Sequence, residues 1–125
     1  MRVKNIVFGI KSLEHGLDEA KEVMKRLERG EPVKKRRPGI YFENLDIMRK
    51  ALTDERLRIL KVIKEEHPSF IYGLAKLLHR NLKNVSDDVR HLAALGLIEL
   101  HQTKEARQKT TPLVNYDKIL FEIAL

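Results

Sequence analysis

The chain contains no cysteine, which excludes disulfides and thiolate chemistry and is neutral on compartment. It has no apolar run of membrane-spanning length, and its amino-terminal apolar stretch is too short for a secretion signal. A cytoplasmic protein without membrane contact is therefore expected. Also missing are a glycine loop that cradles phosphate and a serine nucleophile elbow, so enzymatic readings find little support. No internal repeat or low-complexity segment appears. What is present is a composition of 42% hydrophobic and 34% charged residues, which is globular rather than disordered. At 125 residues this suits one domain with a small appendage and a modest core.

The net charge of +7 favours a polyanionic partner, although basic proteins without nucleic-acid ligands are common. Its distribution says more than its total. Residues 1–43 carry 11 basic and 7 acidic groups, and residues 44–80 carry 8 and 5. Residues 81–101 carry only 2 against 3, and residues 102–125 carry 4 against 3.

The region 53–101 holds three apolar stripes followed by a strand-like exit. Leu57, Leu60 and Ile63 recur at i, i+3, i+6, with Ile59 and Val62 widening the stripe. Thr53 is placed to cap this helix, Asp54 and Glu55 suit its positive end, and Pro68 should stop it near His67. Ser69 is then expected to cap a second helix whose buried face is Ile71, Leu74, Ala75 and Leu78. A third stripe is Val85, Val89, Leu92 and Leu95, after a break near Asn81, a residue suited to ending one helix or capping the next. Gly96 fits a left-handed helix end, and Leu97-Ile98-Glu99-Leu100 turns the chain into a strand. The short gap between the second and third stripes requires a steep helix crossing, as in a helix-turn-helix. A small helical bundle is the alternative, but the abrupt glycine-to-strand exit has no role there.

The flanks are organised too. Val3 to Ile10 is β-rich, with Ile6, Phe8 and Ile10 on one face. Leu13, Leu17, Ala20, Met24 and Leu27 follow at 4-3-4-3 spacing, predicting an amphipathic helix from about Ser12 to Arg29. That stripe either packs on the protein's own sheet or forms a short dimer seam. Gly30 to Pro38 reads as a loop, Gly39 to Glu43 as a strand, and Leu45, Met48 and Leu52 as a connecting helix. Near the carboxyl end the alternation at Ile119, Phe121, Ile123 and Leu125 favours a strand joining the other two in a small sheet, although Asp117 can also cap a short helix.

Several runs carry a family resemblance: Ala51-Leu52-Thr53, Glu55-Arg56-Leu57-Arg58-Ile59-Leu60, Gly73-Leu74-Ala75, Asn84-Val85, Asp88-Val89 and Leu95-Gly96-Leu97-Ile98. Together they resemble MarR-like winged helix-turn-helix DNA-binding regulators of archaea and bacteria. The resemblance extends through Phe42-Glu43 upstream and Pro112-Leu113-Val114-Asn115-Tyr116-Asp117 downstream, covering most of the chain. The chain departs from the pattern at His79-Arg80-Asn81, where such proteins often have glycine in the turn. The resemblance implies transcriptional regulation and specifies neither operator nor effector.

The expected fold is therefore α+β: a winged helix-turn-helix over residues 45–118, with a strand-helix-strand extension over 1–44 and a final strand over 119–125. The expected function is sequence-specific binding of double-stranded DNA by a homodimer, without a cofactor. Off the buried stripe of the third helix stand Lys83, Asn84, Ser86, Asp87, Arg90 and His91. Asn and Ser can bond base edges or phosphates, and Arg90 can bridge guanine acceptors or contact phosphate. Lys83 and Asn84 lie in the first turn, where such helices approach bases. An ordinary solvated helix face reads the same way. Asp87 and Asp88 oppose phosphate approach: Asp88 can pair internally with a nearby base, and Asp87 can accept from cytosine or reject wrong contacts. Lys104, Arg107 and Lys109 can project from a hairpin over 102–110 towards phosphates, as can the side chains of an exposed polar loop. Lys34, Lys35, Arg36 and Arg37 form either a phosphate-binding arm or a solvated linker. His15 beside Asp18 and Glu19, and His91 beside Asp87 and Asp88, can be drawn as metal or acid-base pairs. Surface ion pairs look alike, and no further ligands lie nearby in sequence, so no metal is expected. Tyr41, Tyr72 and Tyr116 are expected to pack rather than catalyse. The alternative function is a protein-interaction module, antitoxin-like or assembling a complex, suggested by the amphipathic helix and by Asp87-Asp88.

Overall fold

A computed structural model describes residues 4–11, 13–31, 39–102 and 109–125; the side chains of Leu13 and His15 lie outside the described set. Along the chain these residues form β1 (Asn5–Ile10), α1 (Leu13–Glu28), β2 (Gly39–Phe42), α2 (Leu45–Ala51), α3 (Asp54–Glu66), α4 (Ile71–Leu78), α5 (Leu82–Ala94), β3 (Glu99–Gln102), β4 (Thr110–Leu113) and β5 (Lys118–Ile123). The architecture is α+β. Two units are distinguishable: Met1–Lys50 with Tyr116–Leu125, and Ala51–Asn115. The chain thus divides at Lys50/Ala51, within the helix that the sequence reading grouped with the central motif from residue 45.

In the first unit, a three-stranded sheet runs in the order β2-β1-β5, with β1 parallel to both neighbours. The register places Phe8 beside Ile40 and Phe121. Its ring packs 5.3 Å from Phe42 and 5.9 Å from Phe121, centroid to centroid. Val7 is buried as well as Phe8, as expected of the middle strand of a parallel sheet. Gly9 is required by close approach, since a Cβ there would lie 2.5 Å from the Tyr41 ring. Lys11 covers that ring, with Nζ 4.2 Å from its centroid and 2.8 Å from the Glu19 carboxylate. The carboxyl-terminal segment is strand rather than helix. Asp117 accepts a hydrogen bond from the Lys4 backbone N–H at 2.9 Å, fastening the start of β5 to β1. Burial raises the pKa of the Tyr116 phenol.

Of the two alternatives for the α1 stripe, packing on the protein's own sheet is not seen. The stripe Leu17, Ala20, Met24, Leu27 does not pack on the protein's own sheet, because all four residues are exposed. Among its described side chains, the less exposed residues of α1 are Gly16, Glu19 and Val23, on the flank of the stripe. The Glu19 carboxylate on that flank accepts from Lys11 Nζ at 2.8 Å.

The second unit is built from three capped helices and a hairpin. The Thr53 hydroxyl accepts from the Arg56 N–H at 3.2 Å, opening α3, and His67 closes it in the left-handed conformation ahead of Pro68. Ser69 does not cap α4. The N-cap is Phe70, still extended at φ −144 and ψ 161 and making no side-chain cap bond. Ser69 lies one residue too early, and its carbonyl instead accepts the Thr111 hydroxyl of β4 at 2.6 Å. His79 ends α4 at φ 54, with its N–H bonded to the Lys76 carbonyl and that of Arg80 to Ala75, both at 3.1 Å. That is the geometry glycine usually supplies, held here by histidine at a cost of about 1 kcal/mol. Gly96 makes the same closure after α5, at φ +86, and brings Leu97 over Leu92. Leu97 and Ile98 are buried lead-in residues, and the strand itself starts at Glu99. β3 and β4 pair antiparallel, Glu99 opposite Leu113 and Gln102 opposite Thr110. The core comprises Ile59, Leu60, Ile63, Leu74, Ala75, Leu78, Val85, Val89, Leu92, Leu97 and Ile98.

Candidate nucleic-acid interface

α5 begins at Asn81, whose side-chain oxygen accepts the N–H groups of Lys83 at 2.8 Å and Asn84 at 3.4 Å. With Val85, Val89 and Leu92 fully buried, the 100° step per residue sets the opposite face. That face carries Lys83, Asn84, Asp87, Arg90 and His91, all exposed, and half-buried Ser86. The six α5 residues singled out in the sequence therefore share one face. Ser86 and Arg90 form its edge towards the hairpin. There they border a groove of about 670 Å³, further lined by Ile71, Leu100, Gln102 and Thr110.

The two adjacent aspartates behave differently. Asp87 faces outward and pairs with Arg90, Oδ1 to Nη2 at 3.1 Å, while Arg90 Nε also donates to the Ser86 carbonyl at 3.4 Å. Asp88 turns inward. Its carboxylate accepts from Arg56 Nε at 3.2 Å and from Arg80 Nη2 at 3.0 Å. Arg80 also reaches Glu55 at 3.3 Å, and Arg56 Nη1 donates to the Ala51 carbonyl at 2.9 Å. Asp88 thus ties α3, α5 and the turn before α5 together and takes no part in the outer face.

A second feature lies beside the hairpin. Lys109 Nζ stands 4.6 Å from the centroid of the Phe70 ring, and Lys76 Nζ stands 4.7 Å from that of Tyr72. These four side chains line a groove of about 660 Å³ that also includes Leu82. Tyr72 was expected to pack but is 58% exposed. Phe70, Tyr72 and Lys76 were not among the sequence candidates. The Tyr72–Lys76 pairing at i, i+4 was the available signal.

Lys104 and Arg107 lie outside the described residues, as do Lys34, Lys35, Arg36 and Arg37. Of the three hairpin cations, only Lys109 is described. His101 pairs with Glu99 at 3.2 Å on the exposed hairpin. Among the described residues, no group of three or more His, Cys, Asp or Glu side chains is placed to hold a metal ion. None of the helices described is long and apolar enough to cross a membrane.

The arrangement is that of an α+β protein whose second unit presents one helix face and an adjoining hairpin groove. A family model designated HVO_A0114 matches residues 51–121, over half of the chain, and the chain belongs to that family. The match starts at the first residue of the second unit and runs into β5. No curated protein matches the chain.

Proposed function

We propose that the chain is a sequence-specific transcriptional regulator that binds double-stranded DNA as a homodimer, with α3 to β4 acting as a winged helix-turn-helix. The observation carrying this reading is the outer face of α5, where Lys83, Asn84, Ser86, Asp87, Arg90 and His91 stand together over a buried apolar face. In the proposed complex α5 enters the major groove. Lys83 and Asn84 in its first turn meet base edges, and Arg90 meets guanine or phosphate. The hairpin is proposed to contact the phosphate backbone through Lys104, Arg107 and Lys109, and the basic run 34–37 is a separate candidate phosphate-binding arm. Lys76 and Lys109 add cations beside the hairpin, where a phosphate path would pass.

Selection of bound fragments from a genomic library tests the reading and identifies the operator. If about six phosphates are neutralised, log affinity falls with log salt at a slope of roughly −5. Affinity that does not change with salt overturns the mechanism. A second reading, a protein-interaction module, is favoured by the exposed apolar side chains of Tyr72, Leu77 and Leu82 around α4 and the turn. Absence of any enriched fragment, together with stable co-purification of a protein partner, selects that reading instead.

A further inference from the structure

The outer edge of the three-stranded sheet carries its own complement. β5 has β1 on one side and, among the described residues, no strand on the other. The Lys118 N–H donates to the Lys4 carbonyl ahead of β1. Alternation along the strand therefore turns the backbone N–H and C=O groups of Ile119, Phe121 and Ile123 to the open edge. Nothing blunts this edge: Leu120, Phe121 and Ile123 are 37%, 58% and 53% exposed, and the strand contains no proline. An exposed apolar edge of this kind is a template for another strand. The run Lys118-Ile119-Leu120-Phe121-Glu122 is apolar in the middle and oppositely charged at its two ends, both of them exposed. β2, at the other edge of the sheet, is uncharged and none of its residues is exposed.

We propose that β5 pairs antiparallel with β5 of a second copy about a two-fold axis at Leu120, giving one sheet in the order β2-β1-β5-β5-β1-β2. In this register Ile119 and Phe121 lie opposite Phe121 and Ile119 of the second copy and exchange main-chain hydrogen bonds with them. Leu120 meets Leu120 as a non-hydrogen-bonded pair. Lys118 stands opposite Glu122, twice by symmetry, on the same face as Leu120. The occupant is a second copy because a two-fold interface must be complementary to itself, and this strand, reversed, offers an acid to its own base. Moving the axis to Ile119 or Phe121 sets Leu120 opposite Lys118 or Glu122 and loses both charge pairs. Parallel pairing in register sets Lys118 on Lys118 and Glu122 on Glu122. The exposed charge pairs select the register, while the backbone bonds and the Ile119–Phe121 pairs hold the strands. A seam one strand long buries less than a standard interface, so the dimer dissociates on dilution. The inference rests on the homodimer of the proposed function, but it uses none of the residues assigned to DNA.

Sedimentation of the full chain without DNA tests it. The wild type should show a reversible monomer–dimer equilibrium. Glu122→Lys and Lys118→Glu should each raise the dissociation constant roughly tenfold, because two attractive pairs become two repulsive ones. Both positions are exposed, so circular dichroism and melting should not change. Lys118→Glu combined with Glu122→Lys exchanges the charges and should restore the wild-type dimer. A monomeric wild type, its edge left for a strand of another protein, overturns the proposal. So does a dimer indifferent to the single reversals, or one that the double substitution does not restore. The register is read by cross-linking, made simple by the absence of native cysteine. Leu120→Cys should link to itself on mild oxidation. Lys118→Cys should not, since the two copies of residue 118 lie four residues apart along the paired strands, roughly 13 Å. Preferential self-linking of Lys118→Cys overturns the proposal. DNA binding is scored separately. A dimer that binds no DNA sinks the regulator reading and leaves the seam, whereas a DNA-binding monomer sinks the seam alone.

Discussion

Replacing Asp88 by asparagine should destabilise the helical unit, because the carboxylate is the shared acceptor of two guanidinium groups. Asp88 meets Arg56 at 3.2 Å and Arg80 at 3.0 Å, and the three side chains are only 18%, 19% and 20% exposed. Breaking a fully buried pair by removing one partner costs about 3–5 kcal/mol. An exposed pair contributes about 0–1 kcal/mol. With one-fifth of each side chain in contact with water, and with Arg80 retaining Glu55 and Arg56 retaining the Ala51 carbonyl, the loss should lie between those limits, at about 2 kcal/mol. For a unit the size of Ala51–Asn115, that lowers Tm by roughly 10 °C. Urea and thermal unfolding followed by circular dichroism give both quantities. Asp87→Asn is the control, since its pair with Arg90 is more than half exposed on both sides. It should change stability by less than about 0.5 kcal/mol. A cycle combining Asp88→Asn with Arg80→Met should return a coupling of about 1–2 kcal/mol. Equal effects of Asp87→Asn and Asp88→Asn, or a coupling near zero, would refute the assignment of Asp88 to the framework.

Four further outcomes are expected. Arg90→Ala should reduce discrimination among DNA sequences, whereas Lys104→Ala should weaken all sequences alike; competition binding to selected and random duplexes separates the two, and the reverse pattern means the roles are exchanged. If the α5 face meets DNA as proposed, Asp87→Asn should raise affinity for all duplexes by roughly threefold, because it removes a charge of the same sign as phosphate from that face. A loss of discrimination would instead assign Asp87 to base reading. Gly96→Ala should cost about 1 kcal/mol through its φ of +86 alone, as a Cβ there meets nothing within 4 Å; unfolding as stable as the wild type would contradict the strain argument. The raised pKa of Tyr116 makes stability independent of this group below about pH 10. Above it, the unfolded chain loses the proton first and stability falls. Tyr116→Phe should therefore flatten the alkaline decline in urea-derived stability, and an unchanged slope would count against burial as the cause.

The helices were legible because their apolar spacing is the consequence of packing against one another. Val85, Val89 and Leu92 recur at the period that buries them, and Gly96 stands where the chain must turn left-handed. The caps were legible only where one side chain reaches its own helix, as at Thr53 and Asn81. Ser69 misled because cap preference does not report that Phe70 stays extended, nor that Thr111, far along the chain, claims the Ser69 carbonyl. The stripe of α1 located the helix but left its packing open. Periodicity marks a face that can be buried but does not say by what, and Lys11 holding Glu19 accompanies a different orientation of the helix. The aromatic groove was illegible because its elements are distant in sequence. Lys109 reaches Phe70 only through the pairing of β4 with β3 and its bond to the turn before α4.

The same geometry answers the charge objection raised by the sequence. Residues 81–101 sum to an excess of acid, which argues against a phosphate-facing helix if every charge is assumed to point outward. They do not. Val85 and Val89 set the buried face, so a single 100° step carries Asp87 to the outer face and Asp88 to the inner flank. There Asp88 is matched by Arg56 and Arg80, both from outside the segment. On the outer face Asp87 stands against two cations, Lys83 and Arg90. Its pair with Arg90 is exposed and weak enough for a phosphate or a guanine to displace it. Lys76 and Lys109 extend positive charge beside the hairpin. The outer face of α5 therefore carries two cations against one anion although the segment that builds it has an excess of acid, and the quantity bearing on the proposed DNA contact is the charge of the face rather than of the sequence interval.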